Sequence, residues 1–145
     1  MKPCYIFDLD GTLADPSHRL RYIKGEKKDW KKFFESVGDD ELIIPVAELL
    51  DDLAANTEIV IVTGRSDECR KATADWLSKH EIDYVSLHMR KAGDRRPDYI
   101  VKLEILVQLR SQNYLPIMAF EDRASVASMW RENGVLCALL AEGDF

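Results

Sequence analysis

Cysteine is scarce in this chain, long apolar runs are missing, and positive charge is the minority sign. The three cysteines, Cys4, Cys69 and Cys137, lie far apart and match no metal-ligand spacing. This excludes a disulfide-stapled scaffold and a cysteine-based zinc site, and thiols so dispersed suit a reducing cytoplasm. No apolar stretch approaches the roughly 20 residues that span a bilayer. Strand-like sequence starts directly after Met1, so neither an export signal nor a membrane partner is expected. Nothing resembles GxxxxGK[ST], which removes a kinase-type phosphate loop. No repeat, low-complexity tract or linker interrupts the 145 residues, of which 46% are hydrophobic. One domain covering 1–145 with its own core is expected.

The net charge of −6 argues against a general nucleic-acid coat protein, but it conceals an asymmetry. Residues 18–32, "HRLRYIKGEKKDWKK", hold seven Lys or Arg against two acids, and residues 90–96, "RKAGDRR", hold four against one. These 22 residues carry a net +8, so the other 123 carry −14. Solvated loops are the plain reading of such runs; their place in the fold decides whether they do more.

Short apolar runs alternate with longer amphipathic ones. Strands are expected over 4–7, 58–63, 84–89, 117–120 and 135–140. Helices are expected over 27–38, 45–56, 67–80, 98–112 and 123–133, with Pro45 in a first turn and Gly134 as a stop. This alternation specifies an α/β, Rossmann-like fold: a five-stranded parallel sheet with helices on both faces and ligands beyond the carboxyl ends of the strands. Residues 14–44, between the first strand and the helix at 45, form a small cap or insert with one short helix. Trp30, Phe33 and Phe34 mark one face of it, for docking or for base stacking.

Every expected strand end carries polar groups: Asp8 and Asp10, Thr63-Gly64-Arg65, His88-Met89-Arg90, and Glu121-Asp122-Arg123. In "IFDLDGTLAD" (6–15), alternation sends Tyr5, Phe7 and Leu9 to one face and Cys4, Ile6, Asp8 and Asp10 to the other. Like charges two residues apart repel unless a cation lies between them. Either acidic pair alone reads equally well as a hydrated strand end. Two pairs at one edge point to a hard divalent ion, Mg²⁺ before others, held by Asp8, Asp10, Asp122 and Glu121.

"DLDGT" after a strand, Thr63, Lys102 on a later helix and an acidic pair after a fourth strand resemble the haloacid dehalogenase (HAD) superfamily of phosphohydrolases. More narrowly, the chain resembles the C-terminal 3′-phosphatase domain of T-even phage polynucleotide kinase–phosphatases. That likeness is carried by "FDLDGTLA", "TGR", "RKAGDRRPDYIVKLEI" (90–105), "EDR", "MWRENGV" and the terminal "GDF". The resemblance implies Asp8 as a nucleophile that forms an aspartyl-phosphate, and Asp10 as general acid and base. The Gly-Thr turn and neighbouring carboxylates are expected to raise the Asp10 pKa. Thr63 and Lys102 are expected to hold phosphoryl oxygens. Glu121 replaces the more usual Asp, leaving direct or water-mediated coordination open. Arg19, Arg65 and Arg90 align with the phage domain and are expected to hold substrate phosphates. Asp98, one turn before Lys102, is expected to hold that lysine or a nearby arginine.

The implied activity is Mg²⁺-dependent removal of a 3′-terminal phosphate from DNA or RNA ends during nucleic-acid repair, alongside a separate kinase or ligase partner. A mononucleotide phosphatase and a non-catalytic nucleic-acid binding module are the rival readings.

Overall fold

The computed structural model describes residues 1–142; the "GDF" stretch lies outside them. Strand β1 (Lys2–Phe7) is central, because its alternating apolar side chains face two different cores. It pairs in parallel with β4 (Glu58–Ser66) on one side and β6 (Tyr114–Glu121) on the other. The strands β5 (Ser86–Arg90) and β7 (Leu136–Leu139) form the two edges, giving the spatial order β5-β4-β1-β6-β7. The expected α/β sheet of five parallel strands with helices on both faces is thus present.

The period-2 pattern divides each strand between those cores. Val60 and Val62 face helices α4 (Asp98–Ser111) and α5 (Ala124–Glu132), together with Cys4, Ile6 and Trp130. Ile59 and Ile61 face α2 (Ile44–Ala54) and α3 (Arg70–Lys79), together with Phe7, Trp76 and Phe120. Phe7 and Phe120 stack with ring centroids 4.4 Å apart. All three cysteines are buried free thiols. Among the described residues, no helix is long and apolar enough to cross a membrane.

Two elements were not legible in advance. Ala14–Asp15 (β2) and Glu41–Leu42 (β3) pair antiparallel and close the base of the insert. Between them lie a 3₁₀ turn at Ser17–Tyr22, the short helix α1 (Trp30–Glu35) and a second 3₁₀ turn at Val37–Asp39. Helix α1 is shorter than its basic amphipathic sequence implied. Asp29 caps it by accepting the Lys32 N–H at 3.0 Å, and only Phe33 is buried.

Candidate functional site

Strand β1 stops at Phe7, one residue before the first carboxylate. Asp8 still donates its N–H to Phe120 O at 3.1 Å, so its side chain leaves the sheet edge beside β6. There it meets three groups from elsewhere in the chain. Lys102, from the first turns of α4, donates to Asp8 Oδ1 at 3.0 Å and to Glu121 Oε1 at 2.8 Å. Asp8, Glu121 and Asp122 each present a carboxylate oxygen, all within 4.8 Å of one another. Thr12 donates to Asp8 Oδ2 at 3.4 Å.

The electrostatics show what this cluster needs. Three carboxylates face one ammonium, in a site where Asp8, Glu121 and Lys102 are all buried. Burial, and then Glu121, push the Asp8 carboxyl up to about 7. Burial, and then Asp8, push Asp122 up to about 7 as well. Burial alone would lower the Lys102 ammonium, but Asp8 and Glu121 outweigh it and hold it protonated. A surplus of negative charge that raises the proton affinity of two carboxyls is a demand for a cation. Clustered hard oxygen donors fit a divalent ion of the Mg²⁺ type.

Glycine is required in the turn below. Gly11 has φ +82°, and a Cβ there would lie 2.0 Å from Asp122 Oδ2. Gly11→Ala is therefore expected to weaken Mg²⁺ binding at least tenfold in calorimetric titration, because Asp122 must move out of the cluster. An unchanged dissociation constant would remove Asp122 from the ion site.

Asp10 behaves differently from its sequence reading. Alternation ends with β1, and the turn carries its carboxylate away from Asp8, Glu121 and Asp122 to two arginines. Arg65 Nη2 and Arg19 Nη2 donate to Asp10 Oδ1 at 2.7 and 2.6 Å, and Arg65 Nε bridges both oxygens at 3.1 and 3.3 Å. Burial would raise the Asp10 pKa, but Arg65 first and then Arg19 lower it. The expectation of a raised pKa is overturned: two guanidiniums outweigh the turn and the neighbouring acids. The Asp10 side chain accordingly lies outside the group of carboxylates that can share one ion.

The arginines are also placed differently from an open phosphate-binding edge. Arg19 is fully buried and Arg65 nearly so, and both are further tied to a residue that sequence reasoning missed. Asp40, from the end of the insert, accepts from Arg19 Nε and Nη2 at 2.8 Å each and from Arg65 Nη2 at 3.0 Å. His18 Nε2 lies 2.6 Å from its Oδ1. Arg65 Nη1 donates to Thr73 Oγ1 at 3.0 Å. Within this network, Arg19 Nη1 alone has no hydrogen-bond partner among the described residues; the Phe33 ring lies against this guanidinium, 4.4 Å from Cζ to the ring centre. Asp40 sits in "GDDEL", which reads as a solvated acidic turn, so its role carried no signal.

Arg90 and Asp98 likewise serve the protein's own frame. Arg90 donates to the carbonyls of Gly64, Asp94 and Arg96, at 2.9, 3.1 and 2.6 Å, and to Asp98 Oδ1. Asp98 Oδ2 accepts from Arg123 Nη1 at 2.8 Å. Of the two partners expected for Asp98, it therefore holds nearby arginines rather than Lys102, and the polar atoms of Arg90 are engaged by Asp98 and the loop. A Cβ at Gly64 would lie 2.5 Å from Asp98 Oδ1, which explains the glycine. Thr63 is buried, and its Oγ1 accepts the Arg65 N–H at 3.1 Å, leaving its hydroxyl proton to donate.

The whole chain has relatives. A family model described as the polynucleotide kinase PNKP phosphatase domain matches residues 2–145. A protein of Autographa californica nuclear polyhedrosis virus, whose name pairs polynucleotide kinase with RNA ligase, is 33% identical over 128 residues, covering 86% of this chain and 17% of that protein. A chain of the Pnkp1/Rnl/Hen1 RNA repair complex superposes on all of this one, with a TM-score of 0.87 and 31% identity, over 44% of its own length. The present chain thus spans less than half of either relative. A hydrolase from Streptococcus pneumoniae TIGR4 shares the fold, with a TM-score of 0.67 at 18% identity, over 94% of this chain and 91% of that one.

Proposed function

Because this chain belongs to the family of polynucleotide kinase PNKP phosphatase domains, a HAD-type phosphatase fold, we propose that it removes 3′-terminal phosphate from DNA or RNA ends through an aspartyl-phosphate on Asp8. The observation that carries the reading is convergence: Asp8 from β1, Lys102 from α4 and Glu121-Asp122 from the end of β6 meet within one cluster. Asp8, Glu121 and Asp122 would hold Mg²⁺, which when bound neutralises charge on the phosphoryl group.

The protein's own groups supply the rest. The carboxylate of Asp8 attacks phosphorus as the bond to the sugar oxygen breaks. Lys102 opposes protonation of that carboxylate and orients it by its 3.0 Å contact, and the Thr63 hydroxyl donates to a phosphoryl oxygen. Water then attacks the aspartyl-phosphate and gives its proton to Asp10, which Arg19 and Arg65 hold ionised as an acceptor should be. In the first step Asp10 must give a proton to the departing sugar oxygen. A phosphate monoester arriving beside it brings negative charge that opposes the two arginines and favours uptake of that proton.

A reducing cytoplasm belongs to the same reading, as does a kinase or ligase partner, on another chain or on further length of this one. The names of the relatives support such a partner. The test is a panel of substrates with and without Mg²⁺: 3′-phosphorylated and 5′-phosphorylated oligonucleotides against free nucleotides. Phosphate release is expected to be fastest, and Mg²⁺-dependent, from the 3′-phosphorylated oligonucleotide. Faster turnover of mononucleotides overturns the choice of substrate, and no release from any of them overturns the enzyme.

A further inference from the structure

The paired arginines leave a question open: if Arg19, Arg65 and Arg90 are engaged by the protein's own groups, what meets the backbone of a nucleic acid? The densest run of exposed positive charge lies on the insert, on Arg21, Lys24, Lys27, Lys28, Lys31 and Lys32. These six cations crowd into twelve residues of a chain whose net charge is −6. They also surround aromatic rings. Lys28 Nζ lies 5.9 Å from the Trp30 ring centre, Lys32 Nζ lies 5.8 Å from that of Tyr22, and Arg21 Cζ lies 4.9 Å from the same ring.

Trp30 departs from the behaviour of the other tryptophans. Trp76 and Trp130 are about 1% exposed, whereas Trp30 is 47% exposed. It is also packed on its own helix. Its ring meets Phe33 edge-on at 5.5 Å and stacks on Phe34 at 6.0 Å. The Asp29 N–H closes the preceding loop by donating to Tyr22 O at 2.6 Å, which fixes Tyr22 near the start of α1. A chain of contacts then leads inward, from Trp30 to Phe33, from Phe33 to Arg19 at 4.4 Å, and from Arg19 to Asp10 at 2.6 Å. Two side chains thus separate Trp30 from Asp10.

We propose that Trp30 and Tyr22, with the lysines and arginine around them, form a platform for single-stranded nucleic acid. A base upstream of the terminal phosphate stacks on Trp30, and the cations hold the adjoining backbone. Exposed aromatic faces among cations are what a sequence-tolerant single-strand site requires, since every base has a π-face and every linkage a charge. The inference deepens the proposed function by assigning its polymer-binding surface.

Direct binding separates it from catalysis. With an unphosphorylated dodecanucleotide, iodide quenching of tryptophan emission reports chiefly on Trp30, because the other two are buried. The oligonucleotide is expected to protect that emission. Trp30→Ala is expected to weaken binding about tenfold, Trp30→Phe to recover most of it, and Lys28→Glu/Lys32→Glu to flatten the salt dependence. In turnover, Trp30→Ala should raise KM for a 3′-phosphorylated dodecamer about tenfold, with kcat nearly constant and a nucleoside 3′-monophosphate affected less than twofold. Equal losses on both substrates, or oligonucleotide binding indifferent to residue 30, overturn the platform. An inactive wild-type protein that still protects Trp30 supports the platform while overturning the phosphatase reading.

Discussion

Substituting Asp8 with asparagine is expected to reduce Mg²⁺-dependent phosphate release by about 10⁴-fold or more while making the metal-free protein more stable near neutral pH. The first effect follows from the proposed role of Asp8 as the attacking carboxylate. The second follows from the charge surplus. The folded protein holds the Asp8 carboxyl up at about 7, against an ordinary value of 3.8. A carboxyl raised on folding favours the fold only while it is protonated. Its contribution is complete below about pH 4 and is lost as the pH rises through about 7. Asp122, raised to about 7 by burial and then by Asp8, follows the same course. The wild-type melting temperature without metal should therefore fall across that window, and Mg²⁺ should restore it. The amide introduced by Asp8→Asn carries no charge and relieves Asp122, so the variant should show a shallower fall. The lost contact with Lys102 costs less, because Glu121 still holds the ammonium at 2.8 Å. Calorimetry from pH 4 to pH 8, with and without Mg²⁺, reads the stability effect. Wild-type turnover in Asp8→Asn would remove the nucleophile, and an unaltered pH profile would remove the repulsion.

The second large effect lies at Asp40. Its side chain is inaccessible and accepts from two guanidiniums and the His18 ring. Asp40→Ala leaves Asp10 as the one carboxylate shared by Arg19 and Arg65, inside the protein. Breaking a buried ionic network in this way costs about 3–5 kcal/mol, which lowers the melting temperature of a domain this size by roughly 10 °C. Turnover should fall as well, because the two arginines that orient Asp10 lose their common anchor. Asp40→Asn keeps the shape and part of the hydrogen bonding, so it should fall between the two. A melting temperature for Asp40→Ala within a degree or two of wild type would mean that the network is held from elsewhere.

The sheet was legible because each of its strands is an apolar run bounded by polar residues. Where the bounds moved, a local cause is visible. Strand β6 starts three residues earlier than "IMAF" implied, at Tyr114, since the sheet tolerates Pro116 through an irregularity: Cys4 pairs with Pro116 and Tyr5 with Met118, skipping Ile117. Strand β4 runs on through Gly64 and Arg65, past the apolar stretch that marked it. The cluster of Asp8, Lys102, Glu121 and Asp122 was legible because each member follows a recognisable strand or sits on a periodic helix. The surroundings of Asp10 were not. Alternation is a rule about strands, and it fails at the first residue of a turn; the partners of Asp10 come from an insert with little periodicity. Arg90 and Asp98 were placed at the right edge, and the arginine alternative for Asp98 is the one realised, but which of the two it would be was not legible, because spacing along a chain says nothing of which nearby charge a carboxylate will choose.

The two-residue ribbon of β2 and β3 bears on how such a protein can vary. Its strands bring positions 14 and 42 side by side, so whatever is strung between them leaves and rejoins the body at one point. Material can be spliced into the middle of that excursion without disturbing the sheet beneath. Its two flanks cannot be exchanged so freely, since Arg19 near the outgoing end and Asp40 near the returning end grip each other beside Asp10. Lengthening is therefore cheap at the tip and ruinous at the stem.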